Sequence, residues 1–162
     1  MKKSIAFMLL VIFCFCSLTT VVNATGEQDL PVPSILYDKS LSSTSQFLVK
    51  ILRPEGNETV IKKTYITSGI ALQKDLIVQI LRKNNEGNYE KIYTREGRSN
   101  WEIGPSGLFM KEIQLNTGPN RLRIAVYKKG EDPVPGTNCQ ISDFTVTLLS
   151  EKIINDIFNI NI

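Results

Sequence analysis

Apolar and polar residues alternate along residues 101–128, and this pattern predicts two β-strands joined by a tight turn. Three apolar side chains fall on one face of the second strand: Leu122, Ile124 and Val126. The other face carries three polar or amphipathic side chains: Arg121, Arg123 and Tyr127. Because successive side chains of a strand point to opposite sides of a sheet, this period of two predicts a half-buried strand.

The first strand of the pair places Phe109, Ile113 and Leu115 on one face, although Lys111 interrupts the row. Between the strands, residues 116–120 (NTGPN) supply a glycine and a proline for the reversal. Phe109 and Ile124 are therefore expected in the core of the domain, where Phe109→Ala costs about 3–5 kcal/mol. Arg123 lies on the opposite face from Ile124, so Arg123→Ala is expected to change stability by no more than about 0.5 kcal/mol.

Short strands with the same alternation recur at intervals of roughly 8–12 residues along the chain. Residues 83–88 (KNNEGN) predict a hairpin loop, and Gly69 inside a β-prone run predicts a bulge or a close backbone approach. No helical period is sustained within residues 46–150. The pattern predicts one all-β domain at residues 46–150, an antiparallel β-sandwich of about seven to eight strands.

The N-terminal segment has the composition of a secretory signal peptide at residues 1–24. Lys2 and Lys3 precede an apolar run, and Ala24 closes a stretch of small residues, so the exported chain is expected to begin at Thr25. A retained membrane anchor is the alternative. The next residues, 25–45, are rich in proline, serine and threonine and predict a flexible linker, unless residues 35–37 pack on the domain as a short strand.

Charge and residue counts exclude several functions. Two of the 19 basic residues and none of the 16 acidic ones fall in the signal peptide, so the mature chain carries a net charge of +1. This near neutrality argues against a nucleic acid or an anionic membrane as the partner. The chain has no histidine, which excludes Ser-His-Asp and Cys-His catalysis and histidine-ligated zinc. Only Cys139 remains after export, so no intrachain disulfide can form.

Two loops are rich in oxygen ligands, residues 84–88 and the pair Glu131 and Asp132. Neither matches the spacing of a calcium-binding loop, and ordinary turn chemistry is the simpler interpretation. We therefore expect no cofactor, while calcium binding stays open. No nucleophile motif such as G-x-S-x-G occurs, so we expect no enzyme.

Exposed aromatic side chains are the candidates for a ligand surface. Tyr89, Tyr93 and Tyr127 lie on predicted strands, where a ring in water can stack on a sugar or contact a protein partner. Trp101 is a fourth candidate, but packing between the two sheets is the alternative for it.

The predicted strands carry a resemblance to a known family. It rests on Pro54, Gly56, Val60, residues 65–69 (YITSG), 107–109 (GLF), 113–115 (IQL) and 118–124 (GPNRLRI). These residues resemble the bacterial immunoglobulin-like domains, in particular the group similar to domain B of glucodextranase, found in exported and cell-wall proteins. The resemblance implies a seven-stranded Ig-like module that serves as a spacer, adhesive or docking unit, and it implies no catalytic residue.

The C-terminal tail, residues 151–162, is apolar beyond what this resemblance explains. Ile157 and Phe158 continue a helical stripe, whereas Phe158 and Ile160 begin an alternating, strand-like pattern. The tail is expected to cover apolar surface, either on its own sandwich or on a partner.

Together these observations predict a secreted, non-enzymatic Ig-like module with a binding, adhesive or docking role at the bacterial cell surface. Its partner would be an extracellular protein or glycan. The alternative is a carbohydrate-binding module that acts on cell-wall or extracellular glycan, and a third interpretation is a structural subunit whose tail docks on a partner.

Overall fold

Alternating apolar residues build two β-sheets that pack face to face. The computed structural model describes residues 29–94 and 96–158, with side chains up to residue 156, so the predicted signal peptide at residues 1–24 lies outside the described part. The described residues form nine strands: β1 (Val49–Arg53), β2 (Glu58–Val60), β3 (Thr64–Ala71), β4 (Leu76–Lys83), β5 (Tyr89–Lys91), β6 (Asn100–Glu102), β7 (Leu108–Gln114), β8 (Gly118–Lys128) and β9 (Cys139–Leu148).

Three strands form sheet A in the order β1-β3-β7, and six strands form sheet B. The order in sheet B is β2-β9-β8-β4-β5, with β6 also paired to β4. Within the described residues, every pair of strands is antiparallel except β2 with β9. The predicted all-β, antiparallel sandwich is confirmed, with nine described strands where the spacing predicted seven to eight.

The predicted inward faces of β7 and β8 fill the space between the sheets. Phe109 and Ile124 are 4% and 0% exposed in this core, and Trp101 is buried there too. Phe109 packs against Gly69 so closely that a Cβ atom added at Gly69 would lie 2.5 Å from Phe109 Cε1 and 2.9 Å from Lys50 O. The close approach predicted at Gly69 is confirmed, and the β1–β3 register also shifts beside it.

The turn between β7 and β8 connects two different sheets, because β7 belongs to sheet A and β8 to sheet B. Asn120 holds this turn from within. Its Nδ2 donates to Asn116 O at 2.7 Å and to Val146 O on β9 at 3.2 Å, while its Oδ1 accepts from Asn116 N at 2.9 Å. The hairpin loop predicted at residues 83–88 does join two paired strands, β4 and β5.

A second apolar core lies on the outer face of sheet B, beneath residues 29–45, here called the leader segment. Leu36, in the 3₁₀ turn Ser34–Tyr37, is fully buried there. It belongs to one cluster with residues of β4, β8 and β9: Ile77, Leu81, Ala125, Tyr127, Cys139 and Ile141. The prediction of a flexible linker at residues 25–45 therefore does not agree with the structure from Asp29 onward. There the leader segment packs over apolar side chains that point out of sheet B.

Arg123 joins sheet B to the leader segment. Its Nη1 donates to Leu36 O at 3.3 Å and to Asp38 O at 2.7 Å, and its Nη2 donates to Leu41 O at 2.7 Å. Arg123 and Tyr127 are both buried, so β8 is covered on its two faces. The prediction that β8 is half-buried is wrong, and the reason is the leader segment that covers it.

The chain continues after β9 into a helix, α1 (Glu151–Phe158). The helical spacing predicted for the first part of the tail is confirmed over these residues. No helix in the described part of the chain has the length and apolar character needed to cross a membrane.

Candidate functional site

The three tyrosines predicted to form a ligand surface lie in three different environments. Tyr93 is 55% exposed, Tyr89 is half-buried, and Tyr127 is buried beneath the leader segment. The ring centroid of Tyr89 lies 4.0 Å from Cζ of Arg123, which places it at the margin of the second core. The structure therefore does not bring these tyrosines together into one exposed aromatic surface.

Burial changes the acid–base chemistry of the groups under the leader segment. Desolvation raises the pKa of the Tyr127 hydroxyl to about 12 and that of the Cys139 thiol to about 11. Both groups are therefore neutral at physiological pH. A buried thiol with a raised pKa is a weak nucleophile, because the thiolate is the reactive form.

Trp101 lies in the core between the sheets and is 4% exposed. It therefore packs between the sheets and does not present its ring to a ligand. Lys111 lies beside it, with Nζ 4.9 Å from the ring centroid of Trp101 and 3.5 Å from Glu96 Oε2. A cation over an indole face accounts for a lysine on the inward side of β7.

The tail residues named as candidates fall at the limit of the described residues. Ile157 and Phe158 belong to α1, but their side chains lie outside the described part, and so does Ile160. Within α1, Ile153 is exposed and Ile154 is half-buried. The helix thus presents at least one apolar side chain to water.

A groove of about 770 Å³ opens at one end of the sandwich. It lies between the β3–β4 loop, residues 72–75, and the β6–β7 loop, residues 103–107. The β8–β9 loop begins beside it, because Lys128 at the end of β8 pairs with Leu76, the residue that follows Asp75. Loops clustered at one end of a β-sandwich are a common location for binding sites, because the sheets hold them in place.

Hydrogen bonds hold the rim of this loop-end groove. Ala71 N donates to Gly107 O at 2.7 Å and ties the two loops together. Lys129 N donates to Asp75 O at 2.8 Å, and Lys129 Nζ lies 2.6 Å from Glu102 Oε2. The groove is therefore formed by loops whose backbone positions are fixed, which lowers the ordering cost of binding a ligand.

Asp75 adopts a left-handed backbone conformation, with a φ of 58°. It is the single non-glycine residue with positive φ in the described part of the chain. Residues held in sparsely populated backbone regions cluster at functional sites, and aspartate tolerates this region better than most residues. The conformation places Asp75 on the wall of the groove, directly before β4.

The groove wall combines apolar and charged side chains. Leu72, which is 57% exposed, and Pro105 offer apolar surface, while Lys74, Asp75 and Glu102 offer both signs of charge. None of the described residues that line it is aromatic.

A second surface lies on the outer face of sheet A, here called the apolar patch. It contains five exposed apolar side chains: Leu52, Ile66, Ile70, Leu108 and Met110. Cross-strand register places Ile70 directly opposite Leu108, and Met110 opposite Ser68. Exposed apolar side chains gathered on one face of a sheet make this face a candidate interaction surface.

The two oxygen-rich loops use their amide groups within the loops themselves. Asn84 Oδ1 accepts from the backbone N of Glu86 at 3.1 Å and of Asn88 at 2.9 Å. Asn138 Nδ2 donates to Glu131 Oε2 at 2.8 Å. Among the described residues, no group of three or more Cys, Asp or Glu side chains is arranged to hold a metal ion.

Comparisons with family profiles, with curated proteins and with solved structures each return no match.

No sequence pattern marks the residues of the loop-end groove. The alternation extends the predicted strand to Leu72, and residues 104–107 (GPSG) predict an ordinary turn. The 57% exposure of Leu72 becomes known only from the structure. Only the topology brings residues 72–75 and 103–107 to one end of the sandwich.

Proposed function

We propose that the mature chain is an exported, non-enzymatic module of the bacterial Ig-like kind that binds an extracellular protein through the loop-end groove. The observation that carries this proposal is a groove of about 770 Å³ with a fixed rim and a wall of mixed polarity. Grooves of this size hold a ligand through an apolar surface and a few placed polar groups.

The strand order supports the Ig-like assignment. Sheet A contains β1, β3 and β7, while β9, β8 and β4 lie side by side in sheet B. In Ig-type sandwiches the chain likewise alternates between two sheets, and the last two strands flank each other beside the third. The inter-sheet disulfide of antibody domains has no counterpart among the described residues, since Cys139 is free and lies outside the core between the sheets.

A protein partner is favoured over a glycan by the side chains of the groove. Leu72 and Pro105 supply apolar contact, and Lys74 and Asp75 supply one charge of each sign for a peptide segment. A carbohydrate-binding module remains the alternative, and its ligand surface would centre on Tyr93, the most exposed of the three candidate tyrosines.

The binding test uses a matched pair of surface variants. Leu72→Arg changes the groove, whereas Ile61→Arg changes a side chain that is 55% exposed, close to the 57% of Leu72, at the other end of β3. Binding is measured by selection from a random peptide library and by cross-linking on the surface of the native cell. We expect Leu72→Arg to abolish capture and Ile61→Arg to leave it unchanged.

Two results would contradict the proposal. Equal capture of the partner by wild type and by Leu72→Arg would show that the binding site does not lie in the groove. Binding to cell-wall polysaccharide that is lost in Tyr93→Ala, with no peptide selected, would favour the carbohydrate-binding alternative.

Export is tested separately. Mass spectrometry of secreted material is expected to show a chain that begins at Thr25 and carries one thiol, Cys139. An intact N-terminus or a lipid adduct would overturn the proposed localisation, whatever the groove binds.

A further inference from the structure

We propose that the apolar patch binds a second copy of this chain, giving a two-fold symmetric dimer in which each Lys50 pairs with Glu112 of the other copy. This proposal does not use the loop-end groove, so the two proposals can fail independently. It rests on a contrast between the two sheets and on the positions of two charges.

The chain treats the outer faces of its two sheets differently. The leader segment covers the outer face of sheet B, and the cluster beneath it includes Ile77 and Ile141. On sheet A, Ile70 is 44% exposed and Met110 is 59% exposed. Thr94 and Glu96 line a cleft beside Ile66, Met110 and Glu112, but Ile66 and Met110 stay exposed. A sheet face with apolar side chains left in water is typical of a surface that another molecule covers.

Charges lie at opposite corners of the apolar patch. Lys50 on β1 pairs with Ile70 on β3, which in turn pairs with Leu108 on β7, so these residues form one row at one end of the patch. Glu112 on β7 pairs with Ile66 on β3, at the other end. Lys50 and Glu112 are both exposed, and neither forms an ion pair among the described residues.

This arrangement is complementary to itself. The two-fold axis lies parallel to the sheet plane and crosses the line from Lys50 to Glu112 at its midpoint and at a right angle. Rotation by 180° about this axis turns the second copy over. Its Lys50 then lies above Glu112 of the first copy, and its Glu112 lies above Lys50. Both charge pairs then form at once, and the apolar side chains between them meet across the axis. With the usual strand spacing and rise, strands of the two copies cross at roughly 70°, near the orthogonal class of sheet packing.

The same charges select against other arrangements. Two copies stacked so that corners of one kind meet would place Lys50 over Lys50, and like charges across an interface oppose binding. An isologous contact of this type also closes on itself, so it gives a dimer and not a filament. A second copy is therefore the occupant that the surface fits.

Charge reversal tests the pairing. Lys50→Glu gives a chain with acidic groups at both corners, and Glu112→Lys gives a chain with basic groups at both. Each variant alone places like charges together, so its dimer affinity is expected to fall at least about tenfold. In an equimolar mixture both corner contacts become complementary again, and a heterodimer is expected to form with near wild-type affinity.

The measurement is sedimentation equilibrium of the mature chain over a concentration series, with circular dichroism to show that each variant is folded. Lys39→Glu, an exposed charge reversal in the leader segment, is the matched control and should dimerise like wild type. Met110→Asp should abolish the dimer. A wild-type chain that stays monomeric at every concentration would overturn the proposal. So would a dimer whose affinity is unchanged by both charge reversals, or a mixture of the two variants that forms no heterodimer.

Discussion

Arg123 on β8 and Asp143 on β9 form a two-point hydrogen-bonded pair, with Nε 2.8 Å from Oδ1 and Nη2 2.9 Å from Oδ2. The two residues are cross-strand neighbours in sheet B. The other N–H groups of Arg123 donate to backbone carbonyls of the leader segment, so all five guanidinium donors are used. Although burial alone would lower the pKa of Arg123, its hydrogen bonds to Asp143 and the charge of that carboxylate raise it.

Arg123→Ala is therefore expected to destabilise the domain, against the small effect predicted from the alternation of residues. Its removal leaves Asp143 and three leader carbonyls without their donor. We expect the free energy of unfolding to fall by about 2–4 kcal/mol. This is less than the usual cost of breaking a fully buried ion pair, because Asp143 is partly exposed. The loss is measured by urea unfolding, and proteolysis within residues 29–45 should become faster.

Arg121→Ala is the control for this prediction. Arg121 lies on the same strand but is exposed, so its replacement should change stability by no more than about 0.5 kcal/mol. Equal effects of the two substitutions would show that the leader segment does not depend on the guanidinium of Arg123.

The inward faces of the strands could be predicted because they depend only on local alternation. Phe109 and Ile124 lie in the core for that reason. The burial of the outer face of sheet B could not be predicted in this way, since the leader segment that covers it lies some 80 residues away in sequence from Arg123. One local signal existed: β4 carries the run LIVQIL, whose Ile77 and Leu81 point outward and are buried. A strand that is apolar on both faces indicates a sheet covered on both faces.

The loop-end groove and the apolar patch depend on which strands become neighbours. The exposed Ile70 and Met110 looked like ordinary members of alternating strands, and only the β3–β7 register places them on one surface. Lys50 and Glu112 are separated by 62 positions, so their relation across the patch follows from topology alone.

Gly69→Ala is expected to destabilise the core. Its new Cβ would lie 2.5 Å from Phe109 Cε1, so the ring must move within a close-packed interior, at a cost of about 1–3 kcal/mol. Phe109→Ala alone should cost about 3–5 kcal/mol. Because the clash disappears with the ring, the two substitutions together should cost less than the sum of their separate effects.

Urea unfolding of the two single variants and the double variant measures this coupling. Strict additivity would mean that the contact with Lys50 O at 2.9 Å, not the phenyl ring, excludes a side chain at Gly69.

Stability is expected to fall at alkaline pH. Burial raises the pKa of Cys139 from 9.0 to about 11 and that of Tyr127 from 10.0 to about 12. Between pH 9 and 12 the unfolded chain loses these protons while the folded chain keeps them. Folding stability is therefore fully present below pH 9 and declines as the pH rises through the folded-state values, by up to about 1.4 kcal/mol per pH unit for each group.

Tyr127→Phe provides the control for this dependence. The Tyr127 hydroxyl is buried with no hydrogen-bond partner among the described residues, so its removal should leave stability at pH 7 unchanged or slightly higher. Urea unfolding at a series of pH values should show a shallower alkaline decline for this variant. An identical decline in wild type and Tyr127→Phe would assign the effect to other groups.

Deletion of residues 151–162 is expected to leave the sandwich as stable as before. The described side chains of α1 are exposed except for Ile154, which is half-buried, so removing them sacrifices little buried apolar surface. A helix of this length is marginal in water without packing, and its exposed Ile153 is available to a partner. We expect the free energy of unfolding in urea to change by no more than about 0.5 kcal/mol, while cross-linking to a partner on the native cell surface weakens.

A shorter deletion, of residues 159–162, keeps α1 and separates the helix from the alternating end of the tail. A clear loss of stability together with increased binding of a hydrophobic dye would instead show that the tail packs on its own sandwich. If neither deletion alters stability, solubility or cross-linking, the tail takes no part in binding, and the partner must be sought at the groove alone.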